Sequence, residues 1–190
     1  TFIANQAPVI TSSAAYTAAE NQTVAGAFMA SDDAAGVSFA ISGGADAALF
    51  AIDAANGALS FKAPPDFEAP ADVDADNIHD IIVTVTDGGG LTAVQSATVA
   101  VTNVNEVPVA AASSAIGDED TVISGTLAAS DVDGDVLSFS LVGGPSNGSV
   151  TVNTDGSFQF TPVLDFNGSD SQLATSGFQP STGVGEFDYF

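Results

Sequence analysis

The sequence predicts an all-β protein built from two tandem antiparallel β-sandwiches with Greek-key connections. Three observations lead to this prediction. The chain repeats itself once, its apolar residues alternate with polar ones in short runs, and no segment shows a helical period of useful length. With 190 residues, 45% of them hydrophobic, the chain is long enough for two small domains that each bury a core.

The internal repeat predicts the domain boundary. The segment Asn5-Gln6-Ala7-Pro8-Val9 is matched about 100 residues later by Asn105-Glu106-Val107-Pro108-Val109. Such self-similarity indicates two copies of one fold, and we expect the domains to cover residues 1–104 and 105–190.

Short alternating runs, bounded by turn residues, locate the strands. The runs His79–Thr86 and Val136–Leu141 both have the period of two that is typical of a half-buried strand. Asn56-Gly57 and Asp155-Gly156 lie between such runs and predict tight hairpins. Most of the 13 Phe residues fall at strand positions that would face a core.

The charge balance excludes several classes of partner. There are 24 Asp and Glu residues against a single Lys, Lys62, and no Arg, and the formal net charge is −23. Nucleic acid is excluded as a partner because phosphate contacts need Lys and Arg. We expect no membrane insertion, since no apolar run is long enough to cross a bilayer. The absence of Cys excludes disulfides and thiolate metal sites.

The acidic residues cluster between apolar segments, which favours cation sites over the alternative of an evenly solvated acidic surface. Asp66-Phe67-Glu68 is followed by Asp72, Asp74 and Asp76. If that second stretch is extended, alternation places its three carboxylates on one side, where they repel one another. Calcium, which takes six to eight oxygen ligands, would relieve this repulsion.

A second acidic cluster lies in the second repeat. Asp131-Val132-Asp133-Gly134-Asp135 resembles the start of an EF-hand loop, but it lacks the Glu at the twelfth position and the flanking helices. It predicts a calcium loop in a β context, with an ordinary acidic turn as the alternative. The junction Asn103–Pro108 adds amide and carboxylate oxygens in a stretch that Pro108 stiffens, and Asp87 offers a further carboxylate before Gly88-Gly89-Gly90.

These motifs resemble a known family. Residues 5–106 resemble a bacterial cadherin repeat, and the second repeat is similar to the VCBS-type cadherin-like repeats of large bacterial surface proteins. The motifs that carry the first resemblance are Asn5–Pro8, Glu20-Asn21, Leu49–Asp53, Asn56–Leu59, Pro65–Glu68, Asp74–Asn77, Val83–Asp87 and Asn103–Glu106. Those that carry the second are Glu119-Asp120, Ala129–Asp135, Asn147–Val150, Asp155–Phe158 and Asp165–Asp170.

The resemblance implies a cadherin/immunoglobulin-like fold and calcium at the junction between the repeats. The ligands that it implies are Glu20, Asp66 and Glu68 from domain one, Asn103, Asn105 and Glu106 from the linker, and Asp131 and Asp133 from domain two. Asp32, Asp33 and Asp87 match positions that would face a preceding module, and Asp74, Asp76 and Asp135 complete the acidic loops.

The sequence departs from the family pattern at three points. Asp32-Asp33 lacks the usual one-residue gap, and Asn103 and Glu106 stand where animal cadherins carry Asp. His79 stands where an aromatic residue, usually Tyr, is expected. As the single histidine it could be a catalytic base or a metal ligand, but its strand phase, shared with Ile81 and Val83, favours a half-buried core position.

These features predict a calcium-binding structural and adhesive module at a bacterial cell surface, in contact with copies of itself or with a cell-surface protein or glycan. The alternative is a polysaccharide-binding accessory module of a secreted enzyme. That alternative needs exposed aromatic rings, and the chain has no Trp and only two Tyr. We do not predict an enzyme, because no pair of carboxylates is accompanied by Arg, Trp or a second His that would shape an active site.

The second repeat is predicted to lack its last strand, since the aromatic run Phe187–Phe190 ends the sequence. The missing strand would expose core side chains such as Phe139 and Phe160. Either the chain is a fragment of a longer repeat protein, or a neighbouring subunit donates the strand. The segment Thr1–Ala4 is a candidate donor, and head-to-tail donation would build a filament.

Overall fold

A computed structural model of the chain describes residues 4–33, 36–118, 120–163, 178–181 and 186–189. The chain divides into two compact units, Thr1–Val104 and Asn105–Phe190, and each has β-sheets and an apolar core of its own. The all-β prediction is confirmed, because the helical content of the described residues is one 3-10 turn at Ala47–Leu49. Within those residues no helix has the length and apolar character that a membrane span requires.

The described strands of the first unit are short except for the last two. They are β1 (Val9–Ile10), β2 (Ala15–Ala19), β3 (Val24–Ala27), β4 (Ala30–Ser31), β5 (Val37–Gly43), β6 (Phe50–Ile52), β7 (Ala58–Phe61), β8 (Ile78–Asp87) and β9 (Thr92–Thr102).

The first unit contains a four-stranded sheet in the order β2-β9-β8-β5 and a three-stranded sheet in the order β3-β7-β6, with β1 paired to β4. Within the larger sheet, β2 runs parallel to β9, with Ala15 opposite Thr98. The sequence predicted antiparallel pairing only. The parallel pair forms because these strands lie near the two ends of the unit, so the intervening chain supplies the long connection that parallel strands need.

The core of the first unit forms where the larger sheet faces inward. Ile81, Val83 and Val85 alternate along β8 with more exposed residues and are at most 1% exposed, which confirms the period of two predicted for this segment. Burial of such side chains contributes about 1.5–3 kcal/mol each to stability. Four Phe residues are also buried in this core, namely Phe28, Phe39, Phe50 and Phe61.

His79 belongs to this core. It is 2% exposed, and its ring lies edge-on to Phe50 and Phe61 with centroids 5.6 Å and 5.2 Å away. The core position that the strand phase predicted is confirmed. The prediction of half-burial is wrong, because the imidazole is almost completely buried.

The described strands of the second unit are shorter on average. They are β10 (Val109–Ala110), β11 (Ile123–Thr126), β12 (Ala129–Ser130), β13 (Ser140–Leu141), β14 (Gly148–Val152), β15 (Ser157–Pro162), β16 (Phe178–Ser181) and β17 (Glu186–Tyr189). They form the sheets β11-β15-β14 and β13-β17-β16 and the pair β10-β12.

Two expectations for the second unit are wrong. The strand expected at Val136–Leu141 is reduced to Ser140–Leu141, because Val136 is 99% exposed and the preceding backbone has no strand partner. Phe139 and Phe160, expected to be exposed, are 9% and 3% exposed and lie in the core.

The predicted absence of a last strand remains a prediction. The aromatic run at the end of the sequence contributes β17, which pairs with both β13 and β16. Residues 1–3 of the proposed strand donor, Glu119 and the segment Asp165–Asp170 lie outside the described residues.

Both predicted hairpins are confirmed. Residues 53–57 join β6 to β7, and residues 153–156 join β14 to β15. Gly57 has φ of +73°, and its N–H donates a hydrogen bond to the Asp53 carbonyl. A Cβ atom at this position would collide with the carbonyl oxygen of Phe28. Glycine is therefore required here by the positive φ and by the close approach of the Phe28 carbonyl oxygen.

A buried carboxylate fixes the long loop, residues 62–77, that precedes β8. Asp46 is 3% exposed, and its two oxygens accept hydrogen bonds from the backbone N–H groups of Val73 and Asp80 at 2.9 Å and 2.8 Å. Because these donors lie on either side of the start of β8, Asp46 positions the loop relative to the sheet.

We expect Gly57→Ala to lower the free energy of unfolding by more than Gly90→Ala. Both glycines have positive φ, so both substitutions incur the cost of a left-handed alanine, roughly 1 kcal/mol. A Cβ at Gly90 meets no atom within 4 Å, so only Gly57→Ala adds a steric collision. Urea unfolding of the two variants measures the difference, and equal losses would contradict the role given to the Phe28 contact.

Asp46→Ala should destabilise the first unit by about 2 kcal/mol or more, because two buried backbone donors lose their acceptor. Urea unfolding followed through NMR signals of Val83 and Val99 measures this, and amide exchange at Val73 and Asp80 should accelerate. The control is Asp80→Ala, an exposed carboxylate on β8, which should change stability by no more than about 0.5 kcal/mol. Similar losses for both variants would refute the bridging role of Asp46.

Candidate metal sites

Glu20 connects two segments near the C-terminal end of the first unit. It directly follows β2, is 2% exposed, and accepts hydrogen bonds from the N–H of Phe67 and the N–H of Val104 at 2.9 Å and 2.8 Å. One donor belongs to the loop before β8 and the other to the segment after β9. Each carboxylate oxygen keeps a lone pair that could bind a cation.

Two further predicted ligands lie beside Glu20. The Glu68 and Glu20 carboxylates have oxygens within 4.8 Å of each other, and Glu68 Oε1 accepts a hydrogen bond from Asn103 Nδ2 at 2.9 Å. The exposed Asp66 instead accepts a bond from the Ala69 N–H within its own turn, at 3.1 Å. The structure thus brings Glu20, Glu68 and Asn103 together and gives Asp66 a local role.

A second acidic group lies in residues 72–77, here called the aspartate loop. Carboxylate oxygens of Asp72, Asp74 and Asp76 all lie within 4.8 Å of one another. The loop is not extended, as the alternation argument assumed. Ala75 and Asn77 have φ of +57° and +64°, and this turn, not strand alternation, gathers the three carboxylates.

Hydrogen bonds to two of these carboxylates hold the turn. Asp72 Oδ2 accepts from the N–H of Asp76, and Asp76 Oδ1 accepts from the N–H of Ile78, both at 2.8 Å. Asp72 is 6% exposed, and its other oxygen, Oδ1, is buried without a hydrogen-bond partner among the described residues. Buried polar atoms usually have a partner, so this oxygen marks a place where one is missing.

The neighbouring charges act in opposite directions on the ionisation of these groups. The negative charge of Asp76, followed by partial burial, raises the pKa of Asp74 above its ordinary value. Burial works to raise the pKa of Asp72, but hydrogen bonds from the backbone N–H groups of Asp76 and Asp72, the nearby His79 and a hydrogen bond with the Asp74 side chain outweigh it, so that pKa is lowered. Repulsion thus raises the pKa of the exposed Asp74, while the pKa of the buried Asp72 is lowered.

The residues expected to face a preceding module have partners within the first unit. Asp87 accepts bonds from the N–H groups of Gly89 and Leu91 and from Asn5 Nδ2, all at 2.8–2.9 Å. Burial alone would raise the pKa of Asp87, but these donors lower it. Asp33 accepts a weaker bond from the Gln6 N–H at 3.3 Å, and the adjoining Asp32 is half-buried.

In the second unit the predicted ligands form a looser arrangement. Asp133 Oδ2 accepts from the Glu106 N–H at 2.8 Å, while Asp131 Oδ1 accepts from the Asp135 N–H at 3.3 Å. Gly134 has φ of +77°, as the predicted sharp turn requires. Although all these residues are described, the carboxylates of Asp131, Asp133 and Asp135 do not converge as those of the aspartate loop do. The exposed Asn105 donates through Nδ2 to the Glu106 carbonyl at 3.2 Å.

Sequence reasoning missed Asp46 and did not separate the role of Asp72 from those of its neighbours. Asp46 contacts residues 27 and 34 positions away, and no periodic pattern connects it to them. Burial distinguishes Asp72 from Asp74, and the alternating spacing of the three aspartates gives no sign of that difference.

The comparisons with known proteins identify the repeat. The bacterial Ig domain family matches the chain twice, over residues 5–102 and 105–179. No curated protein sequence matches the chain significantly.

Among solved structures, the chain is similar to human protocadherin-24 EC1-2 in two crystal forms, with TM-scores of 0.57 and 0.60 and 18% sequence identity in each. These matches cover 87% and 86% of this chain and 82% and 81% of those chains. Drosophila N-cadherin EC1-4 matches with a TM-score of 0.53 at 22% identity, over 87% of this chain and 43% of that one.

At these sequence identities, the similarity to the cadherin structures is evidence for the fold alone. It confirms the predicted cadherin-like architecture. The two family matches confirm the tandem repeat. The chain therefore belongs to the bacterial Ig domain family, as two cadherin-like repeats in tandem.

Proposed function

We propose that the chain is a calcium-binding structural and adhesive module of an extracellular bacterial surface protein, in which calcium rigidifies the junction between the repeats. The observation that carries this proposal is the adjacent pair of carboxylates, Glu20 and Glu68, held in place by backbone and amide donors at the end of the first repeat.

The chain cannot neutralise these carboxylates with its own side chains. It has no Arg, and its single Lys, Lys62, donates through Nζ to the Ala48 carbonyl at 2.7 Å. A cation from solution is the remaining source of positive charge. Carboxylate and amide oxygens are hard ligands, which suit calcium better than a transition metal, and calcium tolerates the irregular geometry of loop ligands.

The ligands proposed for this calcium come from the first repeat, the linker and the second repeat. They are Glu20, Asp66, Glu68, Asn103, Asn105, Glu106, Asp131 and Asp133. When calcium is removed, repulsion among the carboxylates loosens the junction. Asp32, Asp33 and Asp87 form a second proposed set that would serve a preceding module in the same way.

The role that we propose is mechanical and not catalytic. Serial modules stiffened by calcium extend a surface protein away from its cell and present it to a partner. The partner would be a neighbouring copy or a cell-surface protein or glycan.

Removal of calcium with a chelator should lower the melting temperature, because a ligand that binds only the folded state stabilises it by mass action. At a free calcium concentration of 100 times Kd the stabilisation is about 2.7 kcal/mol. Differential scanning calorimetry with and without chelator measures the shift.

The control for this experiment is ionic strength, since any salt screens repulsion in a chain of net charge −23. The chelated sample therefore receives NaCl to the ionic strength of the calcium sample. Identical melting curves at matched ionic strength would overturn the proposal.

Asp131→Ala should weaken calcium binding and leave the core of the second repeat folded, because the side chain lies in a loop and its Oδ1 accepts a long hydrogen bond, 3.3 Å, from the Asp135 N–H. Calorimetric titration gives the affinity, and NMR signals of Leu127 and Phe160 report on the core. The matched control is Asp118→Ala, an exposed carboxylate of the same repeat outside the proposed ligand set. Loss of the fold in saturating calcium, or equal affinity for the two variants, would contradict the assigned role.

A further inference from the structure

We infer that a trough on the outer face of the four-stranded sheet of the first repeat is a docking site for an arginine side chain of a partner protein. The trough has a volume of about 510 Å³, and the residues that line it include Ala14, Ala45, Asp80, Ile82, Ser96 and Thr98. The inference rests on the adhesive role proposed above and does not depend on calcium. It specifies the kind of protein that the module contacts.

The sheet itself forms the floor of the trough. Asp80 and Ile82 point away from the core, since they alternate along β8 with buried residues. Thr98 of β9 lies opposite Asp80. Ser96 lies opposite Ile82 in the same way. Directly opposed side chains on one face of a sheet are close neighbours, so a carboxylate, two hydroxyls and an aliphatic side chain share this floor.

The side-chain oxygens of the floor are available to a partner, and the main chain beneath them is fixed. The side chains of Asp80, Ser96 and Thr98 have no hydrogen-bond or ion-pair partner among the described residues. The Asp80 N–H donates to Asp46 Oδ2 at 2.8 Å, and the Asp80 carbonyl accepts the Asp46 N–H at 3.1 Å. The Thr98 N–H donates to the Ala14 carbonyl at 2.9 Å. These acceptors are therefore held in fixed positions before a partner arrives, which favours affinity.

Small residues form the two sides of the trough. A Cβ atom at Gly44 would collide with the Asp80 carbonyl oxygen, so the chain after β5 lies directly against β8. Ala45 follows on this side, and Ala14 lies on the opposite side, just before β2. Methyl groups on both sides and Ile82 on the floor suit the methylene groups of a long basic side chain, whose charged end then lies at Asp80.

The distribution of charge sets this face apart from the rest of the chain. The chain has 24 Asp and Glu residues, but Asp80 is the one charged residue among the described residues of β2, β5, β8 and β9 that point outward. Charged residues are depleted at the centres of protein interfaces, where they would lose their water. An uncharged face allows close contact with a partner, and its single carboxylate determines which group the partner must supply.

Arginine matches these acceptors better than lysine or a metal ion. A guanidinium group carries five N–H donors in a rigid plane, and such a fork serves a carboxylate and neighbouring hydroxyls together. A lysine ammonium is a compact point charge with three donors. Calcium takes six to eight oxygen ligands, and this floor supplies a single carboxylate.

A second copy of this chain does not fit the trough. The chain has no Arg, and its single Lys, Lys62, donates to the Ala48 carbonyl. Two copies that each have a formal net charge of −23 also repel one another, whereas the same charge attracts a basic partner before contact. Of the partners proposed for the module, the trough therefore fits a basic cell-surface protein.

The test is a titration of the full chain, labelled with 15N, in calcium buffer with about 0.15 M NaCl to screen nonspecific attraction. The probe is the capped tripeptide acetyl-Ala-Arg-Ala-amide. We expect the amide signals of residues 44–45, 80–82 and 96–98 to shift and to saturate at millimolar peptide. The tripeptide with citrulline in place of arginine, which has a similar shape without the charge, should cause no saturating shifts. The lysine tripeptide should bind more weakly than the arginine tripeptide.

Two variants with matched controls identify the groups that bind. Asp80→Asn should weaken arginine binding about tenfold, because hydrogen bonds to a charged acceptor are stronger than those to a neutral one. Its control, Asp118→Asn, removes the same charge from an exposed position in the second repeat and should leave binding unchanged. Thr98→Val keeps the charge and the side-chain shape and should weaken the arginine tripeptide more than the lysine tripeptide. Its control, Thr17→Val, alters an exposed threonine of β2 outside the trough.

The outcomes separate the docking site from other occupants of the same face. Equal affinities of Asp80→Asn and Asp118→Asn, or equal binding of the arginine and citrulline tripeptides, would overturn it. Shifts at residues 80–82 and 96–98 on concentrating the chain alone would show that a second copy occupies the face. Saturating shifts there with the neutral trisaccharide maltotriose, and none with the arginine tripeptide, would show a glycan site. Either of these two results would also overturn the inference.

Failure of the docking site and failure of the calcium-bound junction are distinguishable. Absence of arginine binding leaves calcium-dependent melting unaffected, so the proposed stiffening of the junction would stand. Identical melting curves with and without chelator, together with arginine binding that Asp80→Asn weakens, would refute the calcium-bound junction and support the docking site.

Discussion

Hydrogen bonds from backbone N–H groups to buried carboxylates are the interaction on which the first repeat depends. Asp46, Glu20 and Asp87 are 3%, 2% and 6% exposed, and each accepts hydrogen bonds from two backbone N–H groups. For Asp46 and Glu20 these donors are distant in the sequence, and for Asp87 they lie in the turn that follows it. An ionised carboxylate cannot be buried without such partners. In a chain with one Lys and no Arg, the backbone replaces the Lys and Arg side chains that usually fill this role.

These hydrogen bonds determine the positions of the loop before β8 and of the segment after β9. Glu20 joins the end of β2 to the loop before β8 and to the segment after β9, and Asp46 joins that same loop to β8. The sandwich core alone would leave a loop of this length free to move, since its own side chains are mostly exposed. With the carboxylates in place, its acidic residues occupy fixed positions, and a set of charges in fixed positions can select a cation.

A consequence is that the acidic groups divide into two kinds. Carboxylates such as Asp87 have their hydrogen-bonding capacity largely used by the fold, and their pKa is lowered because the donors favour the charged form. In the aspartate loop the carboxylates face one another, and the pKa of Asp74 is raised by its neighbour. The first kind maintains the structure, and the second kind concentrates negative charge in one loop.

The sequence by itself determined the tandem repeat, the β-sandwich class, both hairpins and the core face of β8. These features follow from local rules, namely self-similarity, the period of two and the need for glycine at positive φ, as at Gly57. It also indicated which segments concentrate negative charge. Only the tertiary structure decided that β2 runs parallel to β9, that Val136 lies outside a strand, and that Asp46 and Asp72 are buried while Asp74 is exposed. The physical reason is that each of these features depends on a partner distant in the sequence or on a single left-handed residue such as Ala75, and neither leaves a periodic signal in the chain.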